Sequence, residues 1–102
     1  MKYGLSEKSL GELNAILASM PHIEEAVIYG SRARGDYWRA SDVDLSLKGE
    51  QLTRSDLLEL DGKLYESCIP FFFDLCIYNQ LADGEFKASI DREGVTIYKK
   101  TE

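Results

Sequence analysis

Apolar residues recur along this chain with two different periods. Leu10, Leu13, Leu17 and Met20 fall at three- and four-residue steps, which predicts a helix from about Ser6 to Met20 with these residues on one face. Ser9 with Glu12, or Ser6 one turn earlier, offers its N-terminal cap, and Pro21 ends it. Ala26-Val27-Ile28-Tyr29 is a short β-branched run stopped by Gly30, as expected of a strand buried on both faces. Gly30 to Trp38 is polar and glycine-bearing, so it reads as a loop with one helical turn. From Asp42 to Lys48 the pattern alternates, with Val43, Leu45 and Leu47 on one side and Asp42, Asp44 and Ser46 on the other. Thr53 to Cys68 predicts a second long helix, with a Thr53–Asp56 capping box and a stripe of Leu57, Leu60, Leu64 and Cys68. Phe71 to Tyr78 is a strand by composition, Ala82, Phe86 and Ile90 mark a further helix stopped by Gly94, and Val95 to Tyr98 is a last strand.

The order helix, strand, strand, helix, strand, helix, strand predicts an α/β fold of the two-layer α+β kind. It is a mixed β-sheet with helices on one face, packed against Val43, Leu45 and Leu47, so Asp42 and Asp44 are left on the open face. The 102 residues suit a single domain, 1–102. With 44% hydrophobic and 29% charged residues the chain is expected to be globular, and with no run of 18 apolar residues and no secretory leader it reads as cytoplasmic with no membrane partner. A net charge of −6 argues against binding long nucleic acid through its phosphates, though a small phosphate-bearing ligand remains open if a cation supplies positive charge. Cys68 and Cys76 are too few for a disulfide framework, and with the lone His22 they cannot make a zinc site, so free buried thiols are expected.

The chemistry lies in the carboxylates. Asp42 and Asp44, two apart on one strand, project to the same side roughly 6–7 Å apart. Asp74 interrupts the run FFFDLCIY, where a buried charge is costly unless it is paired with an arginine or ligates a cation. Were its strand the neighbour of Asp44's, three carboxylates would share one patch, a donor set suited to Mg²⁺ or Mn²⁺ and to phosphoryl or nucleotidyl transfer. Upstream, Gly30 and Ser31 open a turn followed by Arg32 and Arg34, where backbone N–H groups and a hydroxyl could meet a phosphate; a plain turn capped by Ser31 is the plainer alternative. Together they spell G-S-x₁₀-D-x-D, a pattern that arises by chance in such a chain on the order of one time in a thousand. Arg32 and Arg34 could touch phosphate or a partner, or simply lie on the surface. Tyr37 and Trp38 could stack on a base, anchor a partner or cover the core edge. His22 is expected at the surface with no catalytic role. A phosphatase of the haloacid dehalogenase type is excluded, since its DxD follows an apolar strand rather than sitting within one.

The stretch YGSRARG (29–35), then SDVDL (41–45), then FDL (73–75), with REGVTIY (92–98) near the end, resembles the minimal nucleotidyltransferase (MNT-type) branch of the DNA polymerase β-like nucleotidyltransferase superfamily. The resemblance implies a polymerase β palm-like fold in which Gly30 and Ser31 hold a nucleoside triphosphate, such as ATP, with Arg32 and Arg34 beside it. It implies that Asp42, Asp44 and Asp74 are the catalytic and metal-binding carboxylates, with Mg²⁺ or Mn²⁺ as cofactor. It further implies transfer of AMP to an acceptor hydroxyl, with a HEPN-domain protein as partner in a toxin–antitoxin pair. A non-catalytic module that neutralises a partner by contact is the alternative, and a homo-oligomer stays open.

Overall fold

A computed structural model describes residues 1–101. In chain order the elements are α1 (Glu7–Ala18), β1 (Glu25–Tyr29), α2 (Ser31–Arg34), β2 (Val43–Lys48), α3 (Arg54–Tyr65), β3 (Phe73–Ile77), a 3₁₀ turn (Tyr78–Gln80), α4 (Glu85–Glu93) and β4 (Val95–Lys99). The capping chemistry fixes the helix starts. Ser6, not Ser9, caps α1 by accepting from the Ser9 N–H, and Thr53 and Asp56 form the expected reciprocal box at α3. Glu12 is spent elsewhere, accepting from the Cys68 N–H at 3.1 Å.

The four strands form one mixed sheet in the order β3-β2-β1-β4. β1 pairs antiparallel with both β2 and β4; β2 pairs parallel with β3, the two joined through α3. A parallel pair needs such a crossover, and α3 supplies it. Val43, Leu45 and Leu47 are fully buried, with Ala26 and Ile28 beside them and Leu13, Leu17, Leu60 and Leu64 packed on top from α1 and α3. This layer matches the expected one: an α+β fold on a mixed sheet.

The other face is not left bare. Ile90 of α4 buries against Val27 and Tyr29, the strand residues that point away from the main core. A side chain on Gly94 would collide with Val27, so α4 and its exit lie close on this face. The hydroxyl-bearing Ser46, expected to be exposed, is consequently fully buried, and its Oγ has no hydrogen-bond partner. Thus α1 and α3 cover one face of the sheet as expected, and α4 covers part of the second. The thiols are free, but Cys68 is exposed rather than buried, and Cys76 is half-buried. No described helix is long and apolar enough to cross a membrane.

Candidate active site

The register of the sheet decides what meets on the second face. In β1–β2, Tyr29 is opposite Asp44; in β2–β3, Asp44 is opposite Asp74 and Ser46 opposite Cys76. Side chains of adjacent residues in register share a face. Asp44 and Asp74 therefore project to the same side of neighbouring strands, next to Tyr29 and upstream of the part covered by α4. Asp42 precedes β2, in the loop that leads into it.

Gly30 closes the group from the other side. Its backbone has φ 76° and ψ −154°, and a Cβ built on it would strike the Asp44 carboxylate. Only glycine satisfies both the torsion and the approach. Gly30, rather than Ser31, occupies the cap position of the single-turn α2, so the half-buried Ser31 hydroxyl is not spent on capping. The first N–H groups of that turn have no helical carbonyl behind them.

Electrostatics mark Asp44 as the strained member. Burial first, then the Asp74 carboxylate, then Asp42, push its carboxyl above the ordinary range, and Arg32 and Arg34 offset this in part. Asp74 and Asp42 are exposed. The expectation that Asp74 is a buried and costly charge fails, because β3 is an edge strand and Phe72 beside it is 78% exposed. No ion pair among the described residues includes Asp74, which removes the arginine-pair alternative for it.

Among the described residues, no three histidine, cysteine, aspartate or glutamate side chains stand close enough to make a ready-made metal nest. The donor set nonetheless suits a hard divalent cation. It consists of carboxylate oxygens only, two of them in register on neighbouring strands, and the two outer carboxylates are on exposed side chains free to turn toward Asp44.

The two arginines part company. Arg34 is half-exposed and bridges Glu93 of α4 at 3.1 Å and Asp36 at 3.3 Å. Arg32, expected beside the nucleotide phosphates, is instead 2% exposed and turned into the protein. Its guanidinium donates to the carbonyls of Tyr3, Arg39 and Ser41 and lies against the rings of Tyr37 and Phe71. Those carbonyls meet four of its five N–H groups and its burial turns it away from the patch, so its effect there is a field acting on Asp44. Tyr37 is thereby assigned to packing on Arg32. Trp38 is 82% exposed and covers no core. His22 is at the surface, where its Nδ1 lies 3.0 Å from Asp56 and helps hold that carboxyl below its usual range.

One neighbour of the patch was not singled out by pattern. The Tyr29 hydroxyl lies 3.7 Å from the Cys76 sulfur, and its ring meets Phe86 of α4 edge-on at 5.8 Å. Burial, then Cys76, then Asp44 and Asp74 push its phenol well above the ordinary value, so it stays neutral as a wall of the patch. The signal for it was its place beside Gly30, one step out of phase with Ile28.

Comparisons with known proteins agree with this architecture. Two solved structures superpose over 89% of this chain and 73% of their own. One is a toxin–antitoxin with AMP-PNP, at TM-score 0.73 and 19% identity; the other is a mutant of the toxin–antitoxin MntA-HpeT, at TM-score 0.71 and 16% identity. At such identities the likeness concerns the fold. The AsmA family protein YicH of Escherichia coli (strain K12) is 30% identical over 84 residues; the match takes in 79% of this chain but only 15% of the length of that protein. The family described as Polymerase beta, Nucleotidyltransferase matches residues 11–102. With nine-tenths of its length matched and a sheet that brings Asp44 and Asp74 together beside Gly30, the chain belongs to the polymerase beta nucleotidyltransferase family.

Proposed function

We propose that this protein is a metal-dependent nucleotidyltransferase that moves a nucleoside monophosphate, AMP from ATP, to an acceptor hydroxyl on a partner protein, and that it serves as the antitoxin of a HEPN-domain toxin. The family membership supports the reaction class, and the likeness to a toxin–antitoxin solved with AMP-PNP favours both the nucleotide and the setting. The observation that carries the reading is the register of Asp44 against Asp74 on one face, with Gly30 pressed to Asp44.

In this reading the bare backbone at Gly30 lets the triphosphate approach, and the Ser31 hydroxyl and the N–H groups opening α2 donate to its oxygens. Arg34, half-exposed at the end of α2, would add positive charge there by exchanging its partners Glu93 and Asp36 for the phosphates. Asp42, Asp44 and Asp74 would hold Mg²⁺ or Mn²⁺, which when bound would neutralise phosphate charge and acidify the attacking hydroxyl. Burial of Asp44 among like charges raises the cost of leaving the patch without a cation, which favours cation and nucleotide binding together. The acceptor hydroxyl, losing its proton, would attack the α-phosphate in line from the side of the patch that α4 leaves open, the bond to the β-phosphate breaking and pyrophosphate leaving.

Contact without chemistry remains the second reading, favoured by the exposed apolar side chains Leu58, Tyr65 and Phe72 along α3 and the β3 margin. Incubation of the pulled-down native partner with α-labelled ATP and Mg²⁺ separates the two. The expected result is label on the partner with the wild-type chain and none with a folded Asp44→Asn variant. Equal labelling by that variant, or binding of the partner with no label in either case, overturns the catalytic reading.

A further inference from the structure

Asp42 differs from the other two carboxylates in how it is held. Asp44 and Asp74 are inside strands whose backbone is fixed by ladder hydrogen bonds; Asp42 is not. On its C-terminal side the chain is pinned where the Val43 N–H donates to the Phe72 carbonyl at 2.9 Å. On its N-terminal side Ser41 is held within its own loop by Trp38, whose carbonyl accepts from the Ser41 N–H at 3.0 Å and whose N–H donates to the Ser41 Oγ at 2.8 Å, and the group that ties its carbonyl to the rest of the protein is Arg32. Its Nε donates to that oxygen at 3.1 Å and its Nη2 at 2.8 Å.

Arg32 is held in turn from the N-terminus. Its Nη1 donates to the Tyr3 carbonyl at 2.8 Å, in a turn closed by two backbone bonds between Lys2 and Leu5. Tyr3 adopts φ 59°, a conformation that non-glycine residues enter at a cost. Gly4, at φ 76°, is packed so tightly that a Cβ would strike Arg32 Nη1 and the Tyr37 ring. The guanidinium lies against the rings of Tyr37 and Phe71, with its carbon 4.9 Å and 4.4 Å from the ring centroids. It thus sits buried with carbonyl dipoles and aromatic faces as its partners, where a carboxylate is the usual one. The family match begins at residue 11, so the Lys2–Leu5 turn lies outside the matched residues.

We infer that Arg32 is a positioning residue, and that with the Lys2–Leu5 turn it forms a clamp that sets the place of Asp42 relative to Asp44 and Asp74. The inference rests on the reading of Asp42 as a cation ligand given above. A clamp on the peptide next to a ligand orients it as an outer-shell partner does, and loss of such partners weakens metal binding by about 10–100-fold. Lysine at position 32 keeps the charge but offers one nitrogen where the guanidinium offers three, so it cannot hold Ser41, Arg39 and Tyr3 together. Alanine at position 4 acts on the same clamp from the other end.

The test is titration of the full chain with Mn²⁺, followed by electron paramagnetic resonance, at a temperature where circular dichroism shows each variant folded. Arg32→Lys and Gly4→Ala are expected to lower Mn²⁺ affinity about tenfold, whereas Ile23→Val, a core change that costs stability far from the loop, leaves it within about twofold. If Arg32→Lys does not fold, Tyr37→Leu, which strips one ring from the guanidinium, takes its place. Wild-type binding with folded clamp variants unchanged overturns the clamp and leaves the metal site standing. A wild-type chain that binds no Mn²⁺ overturns the metal-site reading, and the clamp falls with it.

Discussion

Removing the charge at Asp44 is expected to stabilise the fold while destroying the site. Asp44 is the most confined of the three carboxylates, and its carboxyl is pushed upward by burial, then Asp74, then Asp42. Neighbouring strands lie about 5 Å apart, and like charges at that distance repel by about 3 kcal/mol at an effective dielectric of 20. Asp74 is exposed and salt screens the pair, which reduces the figure to about 1 kcal/mol. A group whose folded pKa is raised contributes fully below its unfolded pKa, and that contribution is lost as pH rises through the folded value. The wild type should therefore weaken relative to Asp44→Asn as pH climbs out of the ordinary carboxylate range. At neutral pH, with chelator present, the variant should melt about 4–8 °C higher; in acid the two should coincide. Thermal melts followed by circular dichroism across a pH series check this, and Mg²⁺ should raise the wild type alone. A variant that melts at or below the wild type at neutral pH would refute the account of a patch held under mutual repulsion.

Two further substitutions probe the same face. Gly30→Ala meets both a positive φ and the Asp44 carboxylate, so it should lower the denaturation midpoint by an amount equivalent to about 1–3 kcal/mol; an unchanged midpoint in urea would show that the approach is not tight. Ser46→Ala removes a buried hydroxyl without a partner and should leave stability equal or up to about 1 kcal/mol higher, whereas a clear loss in the same assay would reveal a partner for that oxygen.

Local signals carried far in this chain. Thr53 and Asp56 announce the start of α3, and the alternation of Val43, Leu45 and Leu47 places one face of β2 in the core, because capping and side-chain period depend on a few neighbouring residues. The order of elements also carried the two-layer α+β class and its mixed sheet, though not which strands pair parallel. What was not legible depends on long-range pairing. The burial of Ser46 requires knowing that α4 folds back over Val27 and Tyr29. Asp74 looked buried inside FFFDLCIY, yet no local pattern says that its strand has a neighbour on one side only. Arg32 reads as a phosphate ligand until Tyr3, Arg39 and Ser41, from two separate loops, take up four of its five N–H groups.

The edge position of β3 gives Asp74 a second consequence. From Phe71 to Ile77 the segment is aromatic and aliphatic, and its one charge is Asp74. Unpaired strand margins of that composition template stacking of one molecule on the next, and a lone carboxylate on them keeps copies apart. A neutral residue at position 74 would thus make the protein prone to precipitate at high concentration, so a poor yield of soluble Asp74→Asn would report self-association before it reported anything about the reaction.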